Sequence, residues 1–409
     1  MIFVYNIIIK LYYFGIILIS PFNKKAKNWI EGRKNQFQKI KILENINEKR
    51  YWFHCASLGE FEQGRPIIEK IKNENPEIKI VLTFFSPSGF LHVKNYKFAD
   101  YIFYLPLDTK QNAQKFIKYI KPEKVVFIKY EFWYHYINQL NKQNIPTFLV
   151  SAIFRKNQLF FKWYGAWYKN ILEKFTHIFV QNLESKTLLE NHKIKNVTVS
   201  GDTRFDRVCK IAEENVQLPI FEKFAKNSLV FVAGSTWEKD EEIIIEYINK
   251  FPNNFKYVIV PHDISKSNIE RICKNLQTKF QKLSEIKNDE ISSEIRVIIV
   301  DSIGLLSKIY KYADVSYVGG GFGKGIHNIL ESSVFGSPVL FGTNHKKFSE
   351  ATESINLGFG FSIKNYNDFQ QQINHFYSNK SALENLKIII NNYFVNRKGA
   401  STIIINTIS

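Results

Sequence analysis

Short β-branched and aromatic runs alternate with longer amphipathic segments along this chain, and they do so in two successive series. From residue 50, YWFHCA precedes GRPIIEKIKNE, IKIVLTFF precedes a turn at SPSG, KVVFIK precedes YEFWYHYINQLNKQ, PTFLVSA precedes an aromatic stretch, and HIFVQN precedes LESKTLLENHK. The pattern then restarts: LVFVAGST before EKDEEIIIEYINKF, KYVIVPH before SKSNIERICKNLQ, RVIIVDS before IGLLSKIYKYA, DVSYVGGGF before HNILESSVFG, and PVLFG last. Strands regularly followed by helices build βαβ units and parallel sheets. The spacing therefore predicts an α/β protein with two Rossmann-like, doubly wound domains, which suits a chain of 409 residues, longer than one core usually organises. Between the series, CKIAEENVQLPIFEKFAKNS has no strand character. The expected organisation is a membrane anchor over 1–22, a first domain over 23–206, a linker over 207–227 and a second domain over 228–409. Ligands of such folds bind at the carboxyl ends of the strands, so the chemistry is expected in a cleft between the domains.

The amino terminus reads differently. MIFVYNIIIKLYYFGIILIS is almost wholly apolar and lacks a small-residue cleavage site, so it makes a poor secretory signal. Its length just suffices to span a bilayer, or it lies in one leaflet with Lys10 reaching the headgroups. The segment that follows, KKAKNWIEGRKNQFQKIK, sets seven basic residues against one acid, the bias that holds a segment at an anionic cytoplasmic leaflet. The net charge of +18 likewise points to anionic partners. Nucleic acid is not among them, because no recognised module and no basic stripe with interleaved aromatics is present. Cys55, Cys209 and Cys273 lie far apart without metal-ligand spacing, as expected of thiols in a reducing compartment.

Several loops that end strands carry candidate chemistry. In HCASLGE, Glu60 sits where a strand turns into a helix, beside Ser57 and Gly59, and a helix N-terminus favours the carboxylate form, which suits a base. Glu131 in KYEFWYHY and Arg204 in GDTRFDR lie at other strand ends. In the second series, GGGFGKGIHNILE (319–331) is neither a dinucleotide fingerprint nor a P-loop, because Lys324 breaks one spacing and no Gly-Lys-Ser/Thr completes the other. It is expected to offer freed backbone N–H groups, around Gly320 and Gly321, to a phosphate, with Glu331 one helical turn past Asn328 to accept from ribose hydroxyls. Ser235 and Thr236 of VAGSTWE read as helix caps or as donors to an anion. Pro261 and His262 of VPHD end a neighbouring strand.

In this order the pieces resemble the 3-deoxy-D-manno-octulosonic acid (Kdo) transferases. The resemblance runs from the hydrophobic amino terminus through HCASLGE, YEFW, GDTRFD, AGST and DSIGLLSKIYKYADVSYVGGGF to GIHNILESSVFGSPVLFG. It implies a GT-B fold, CMP-Kdo bound by the second domain, a lipid A precursor bound by the first, inverting transfer, no cofactor or metal, and a location at the cytoplasmic face of the inner membrane among anionic lipids. It also implies that Glu60 is the proton acceptor, that Glu131 and Arg204 stabilise the transition state, and that Pro261, His262, Gly304, Leu305, Leu306, Asn328, Ile329, Leu330 and Glu331 contact CMP.

Three departures stand out. PHDI replaces the Pro-Arg-His-Pro of many relatives, which removes a cationic contact or passes it to His262. Arg204 stands where Lys is usual, keeping charge and changing geometry. Leu305 stands where many have Glu, putting a side-chain contact there in question. Two rival readings are a UDP-sugar transferase or epimerase of the same fold, and a basic membrane-bound binding protein without chemistry.

Overall fold

The computed structural model describes residues 1–163 and 165–408. It divides into two compact units, one formed by Met1–Arg207 with the segment from Arg397 onward, the other by Val208–Asn396.

The first unit is built on β1 (Arg50–Cys55), β2 (Lys79–Phe84), β3 (Tyr101–Tyr104), β4 (Lys124–Ile128), β5 (Thr147–Ala152), β6 (His177–Val180) and β7 (Val197–Val199). All pairs are parallel, in the order β3-β2-β1-β4-β5-β6-β7. Helices cover both faces, so the central strands are buried on both sides: all six residues of β1 are buried, Arg50 and His54 among them. Successive residues feed opposite cores, Trp52 and Phe127 one, Phe53 and Val126 the other. The order reverses between β1 and β4, so the loops that leave these two strands open a crevice at the carboxyl edge of the sheet.

The second unit repeats the design with β8 (Val230–Thr236), β9 (Lys256–Pro261), β10 (Phe280–Lys282), β11 (Val297–Ile299), β12 (Val315–Val318), β13 (Val339–Gly342) and β14 (Gly360–Ile363). The order is β10-β11-β9-β8-β12-β13-β14, again all parallel, with the reversal between β8 and β12. Two parallel sheets with helices are the α/β architecture expected from the spacing.

The differences from expectation are local. Strands β3, β7, β10 and β14 were not singled out in the sequence because they are outer strands of three or four residues, mostly half-buried. SPSG is not a turn: Ser86 accepts from the Ser88 N–H and Pro87 opens a helix, Pro87–Val93, at the one position where its missing N–H costs nothing. The stretch read as a linker holds the helices Arg204–Glu213 and Pro219–Ala225.

The chain's last helix, Ala400–Ile408, does not belong to the second domain, contrary to the 228–409 boundary. Ile404, Ile405 and Ile408 are buried in a core of the first unit, Lys70 of the helix Leu58–Glu74 donates to Thr402 at 2.8 Å, and the Asp206 carboxylate accepts from the N–H groups of Gly399 and Ser401. Each such isoleucine contributes about 1.5–3 kcal/mol when fully buried, a demand that a linear boundary does not register.

The amino-terminal helix, Ile2–Ile19, is long and apolar enough to cross a bilayer. It buries only Tyr5 and Ile9 and exposes Phe3, Ile7, Leu11, Phe14 and Leu18.

Candidate active site

Glu60 is the third residue of the helix Leu58–Glu74 and opens at the reversal point of the first sheet. Its carboxylate turns back onto the turn: Oε2 accepts from the Ser57 N–H at 2.8 Å and the Ser57 hydroxyl at 3.2 Å. The helix terminus and these bonds favour the ionised form, as the sequence suggested, but they do not win. Burial, followed by the charge of Glu131, pushes the Glu60 carboxyl up to about 7, against the pull of Ser57 and of the Lys129 ammonium. Glu60 therefore titrates near neutrality, where a general base works best.

Glu131 lies on the other side of the reversal, just past β4, and is buried. His54 Nε2 is 3.0 Å from its Oε2, and Trp133 Nε1–H donates to the same oxygen at 2.6 Å. Behind His54, Nδ1 is 2.8 Å from the Thr83 hydroxyl, which accepts from Trp52 Nε1–H at 2.8 Å. The Thr83 hydroxyl donates to the Phe53 carbonyl at 3.3 Å, and Trp133 Nε1–H also lies 3.1 Å from His54 Nε2, so His54 is held at both ring nitrogens against Glu131. Two side chains thus fix one carboxylate oxygen, and the buried charge is held beside Glu60. Lys129 reaches the site from a left-handed backbone, φ 67°, immediately after β4. The sequence reading passed over both His54 and Lys129, although the alternation of β1 points His54 to the same side as Trp52.

Arg204 starts its helix clasped by Asp202, with Nε and Nη2 donating to Oδ2 at 2.9 and 2.7 Å. The loop that carries it is tied to the Glu60 helix by Thr203, whose hydroxyl donates to the Gln63 carbonyl at 2.6 Å and lies 3.2 Å from the Ser151 hydroxyl. Glu60 and Glu131 are brought together electrostatically, whereas the bonds described for Arg204 run to Asp202.

At the reversal of the second sheet the organising group is Asp240, which the sequence reading did not single out. Fully buried, it accepts from the Trp237 N–H (2.9 Å), the Gly320 N–H (2.9 Å) and the Tyr317 hydroxyl (2.6 Å), joining the loop after β8 to the loop after β12. Backbones pass closely here: a Cβ on Gly320, φ 92°, would come within 2.5 Å of the Gly325 carbonyl oxygen, and one on Gly321 within 2.5 Å of the Gly342 nitrogen. Only glycine fits. Beside these loops lies a cavity of about 570 Å³, lined by Trp237, Lys239, Phe322, Lys324 and His327 among others. His262 is exposed, and its ring stacks on those of both Trp237 (ring centroids 4.4 Å apart) and His327 (4.7 Å). Trp237 Nε1–H donates to His327 Nε2, and burial with the neighbouring His262 lowers the His327 pKa, so this ring is neutral.

Other residues expected at this site have different surroundings. Thr236 does not cap the following helix: it is buried and its hydroxyl donates to Glu241, while Ser235 holds a left-handed φ of 52° and Trp237 occupies the cap position. The glycine-rich loop does not lead straight into a long helix, since Leu330–Ser333 is one turn and supplies little dipole. Asn328 precedes that turn and donates from Nδ2 to Glu331 Oε1 at 3.0 Å. The side chains of Ile329, Leu330 and Pro261 are buried, leaving their backbone for any ligand. Leu305 and Leu306 are half-buried against the core behind Gly304, which takes φ 91°. Among the described residues no three His, Cys, Asp or Glu side chains form a group that could hold a metal ion.

Residues 31–207, which contain the whole of the first unit's sheet, match the family model of 3-deoxy-D-manno-octulosonic-acid transferase (kdotransferase). The 3-deoxy-D-manno-octulosonic acid transferases of Aquifex aeolicus and Haemophilus influenzae are 28% and 26% identical to it over 341 and 318 residues, covering 81% and 73% of this chain and 87% and 72% of theirs. Over most of its length the chain is similar to the Kdo transferases. A bifunctional glycosyltransferase/methyltransferase of Fusobacterium nucleatum is 27% identical over 95% of this chain, which spans 61% of that longer protein. Among solved structures, the UDP-GlcNAc 2-epimerase of Neisseria meningitidis (TM-score 0.59, 18% identity, 88% of this chain and 99% of that one) has a similar fold. A glycosyltransferase from Rickettsia africae does too (TM-score 0.55, 15% identity, 89% and 97%). The protein is thus a glycosyltransferase of GT-B type.

Proposed function

We propose that the protein transfers Kdo from CMP-Kdo to a lipid A precursor with inversion, at the cytoplasmic face of the inner membrane, with Glu60 as general base. The observation that carries the base assignment is the placement of Glu60 at the sheet reversal with its carboxyl poised near neutral pH. An acceptor sugar hydroxyl gives its proton to Glu60 as its oxygen attacks the Kdo anomeric carbon. The bond from that carbon to the CMP phosphate oxygen breaks, and CMP leaves with the electron pair. Glu131, fixed by His54 and Trp133, keeps the Glu60 carboxylate basic and, with Arg204, adds charge to stabilise the transition state. In the second unit, the backbone of the glycine-rich loop, Lys324 and Lys239 suit the departing phosphate, and Asn328 with Glu331 suits the ribose. The apolar amino-terminal helix and the surplus of Lys and Arg suit an enzyme whose acceptor stays in an anionic bilayer.

The decisive assay supplies CMP-Kdo generated in situ and a tetraacylated lipid A precursor to the membrane-reconstituted enzyme, with UDP-GlcNAc as rival donor and mass detection. A product heavier by one or more Kdo units is expected. Turnover of UDP-GlcNAc instead would move the assignment to the UDP-sugar enzymes.

The pair of carboxylates makes a second expectation. Glu131→Gln removes the charge that helps raise the Glu60 pKa, so the acidic limb of the pH–kcat/KM profile moves to lower pH, toward the ordinary carboxylate range. An acidic limb that stays near 7 in this variant would show that Glu131 does not act through Glu60.

A further inference from the structure

A second cavity, of about 440 Å³, lies in the first unit between the amino-terminal helix and the loop Tyr130–Trp133, closed by Trp167 and Tyr168. Its size falls within the roughly 300–1,000 Å³ of small-ligand sites. Met1, Val4, Ile8 and Ile9 form one wall and Phe132 and Trp167 face them, while the carboxylate in the lining is Glu131, the residue tied to His54 and Trp133. A cavity that is largely apolar and meets one candidate catalytic carboxylate, Glu131, in its wall fits an amphiphile, with a hydrocarbon tail inside and a polar head toward Glu131.

The helix that forms one wall is held against the domain at Tyr5, Asn6 and Tyr12. Tyr5 donates to Asp108 at 2.5 Å, Asn6 Oδ1 meets His135 Nε2 at 2.6 Å, and Tyr12 packs on Trp29 and Phe85. Residues 5, 9 and 12 follow the spacing of one helix face, so the opposite face, with Phe3, Ile7 and Phe14, is left outward. A helix fastened at these residues cannot stand across a bilayer without drawing Asp108 and His135 in with it, and buried polar groups resist that transfer. A helix so fastened suits burial in one leaflet with the domain at its surface. Val4 and Ile8, half-exposed on the cavity side, then join the leaflet to the cavity by an unbroken apolar path.

We propose that this cavity receives one acyl chain of the lipid acceptor straight from the leaflet, which sets the sugar headgroup at Glu60 and Glu131. The assignment rests on the proposed lipid acceptor, and it makes the amino-terminal helix part of the substrate site as well as an anchor. The chain enters without crossing water, and its burial aligns the headgroup hydroxyl with the base.

A tetraacylated lipid A precursor carrying a diazirine at the end of one acyl chain tests this on the full-length, membrane-reconstituted protein. Photolysis is expected to place the adduct within residues 1–9 or at Trp167–Tyr168, with unlabelled precursor competing and phosphatidylglycerol not. Adducts elsewhere, or equal competition by phosphatidylglycerol, would overturn the assignment, the latter by showing a general bilayer contact. In parallel, Ile8→Trp is expected to change the ratio of kcat/KM between the acylated precursor and its deacylated, water-soluble headgroup by about tenfold against the acylated form. An unchanged ratio would also overturn it. If the wild type transfers Kdo to neither acceptor and the mapped adduct still forms, the functional reading fails and the acyl-chain site stands.

Discussion

Glu60→Gln is expected to lower kcat by about 10²–10⁴-fold, the range for removing a positioned general base, while leaving the binding of CMP to the protein unchanged. The same variant gives an independent stability signal. The Glu60 carboxyl is raised from the ordinary glutamate value to about 7, chiefly by burial, so the folded state prefers its protonated form. That preference is fully present below the unfolded-state pKa and is lost as pH rises through 7, where the buried carboxylate must ionise. Glutamine never ionises. The variant should therefore be as stable as wild type near pH 4 and more stable at pH 8, by about 1–3 kcal/mol. Denaturant midpoints across this range together with single-turnover rates check both halves. A variant that is slow but shows no pH-dependent gain would leave Glu60 catalytic yet solvated, and one that is stabilised yet still transfers would move the base elsewhere.

Asp240→Ala carries the largest expected structural effect. Its carboxylate satisfies three donors from both sides of the second sheet's reversal, the N–H groups of Trp237 and Gly320 and the Tyr317 hydroxyl. Leaving buried donors without acceptors costs about 1–3 kcal/mol each, so the second unit should lose about 3–5 kcal/mol of stability. Asparagine keeps one acceptor oxygen and should recover part of it. The Gly320 amide is the local reporter, since its hydrogen exchange should accelerate in both variants and more in alanine. An unchanged unfolding midpoint in Asp240→Ala would mean that the two loops are held by their glycine contacts alone. The consequence for function is a loosened glycine-rich loop, and so weaker binding of CMP by the alanine variant.

Much of the candidate site was legible in the loops that end strands, because parallel sheets confine ligands to that edge. Glu60, Glu131 and the glycine-rich loop were found this way, and the structure places all three at sheet reversals. What escaped notice were residues whose role is contact with other loops. His54 lies inside a strand and reads as one more core position, yet it meets Glu131, 77 residues away. Asp240 reads as one acid in the run EKDEE, and only the approach of Gly320 turns it into a bridge. Thr236 looked available to a ligand until Glu241, five residues on, claimed its hydroxyl.

The sequence by itself determined the two parallel sheets and the strand ends that carry the chemistry, since apolar period, glycine spacing and turn residues are local properties of the chain. It also set the surplus of positive charge and the apolar amino terminus. The tertiary structure alone decided that the last helix returns to the first unit and that the amino-terminal helix is fastened along one face. It also decided that Glu60 titrates near 7 despite its place at a helix start. The reason is common to the three: burial and charge proximity depend on which distant segments meet, and desolvation at Glu60 outweighs the helix terminus and the Ser57 hydrogen bonds that the local sequence encodes.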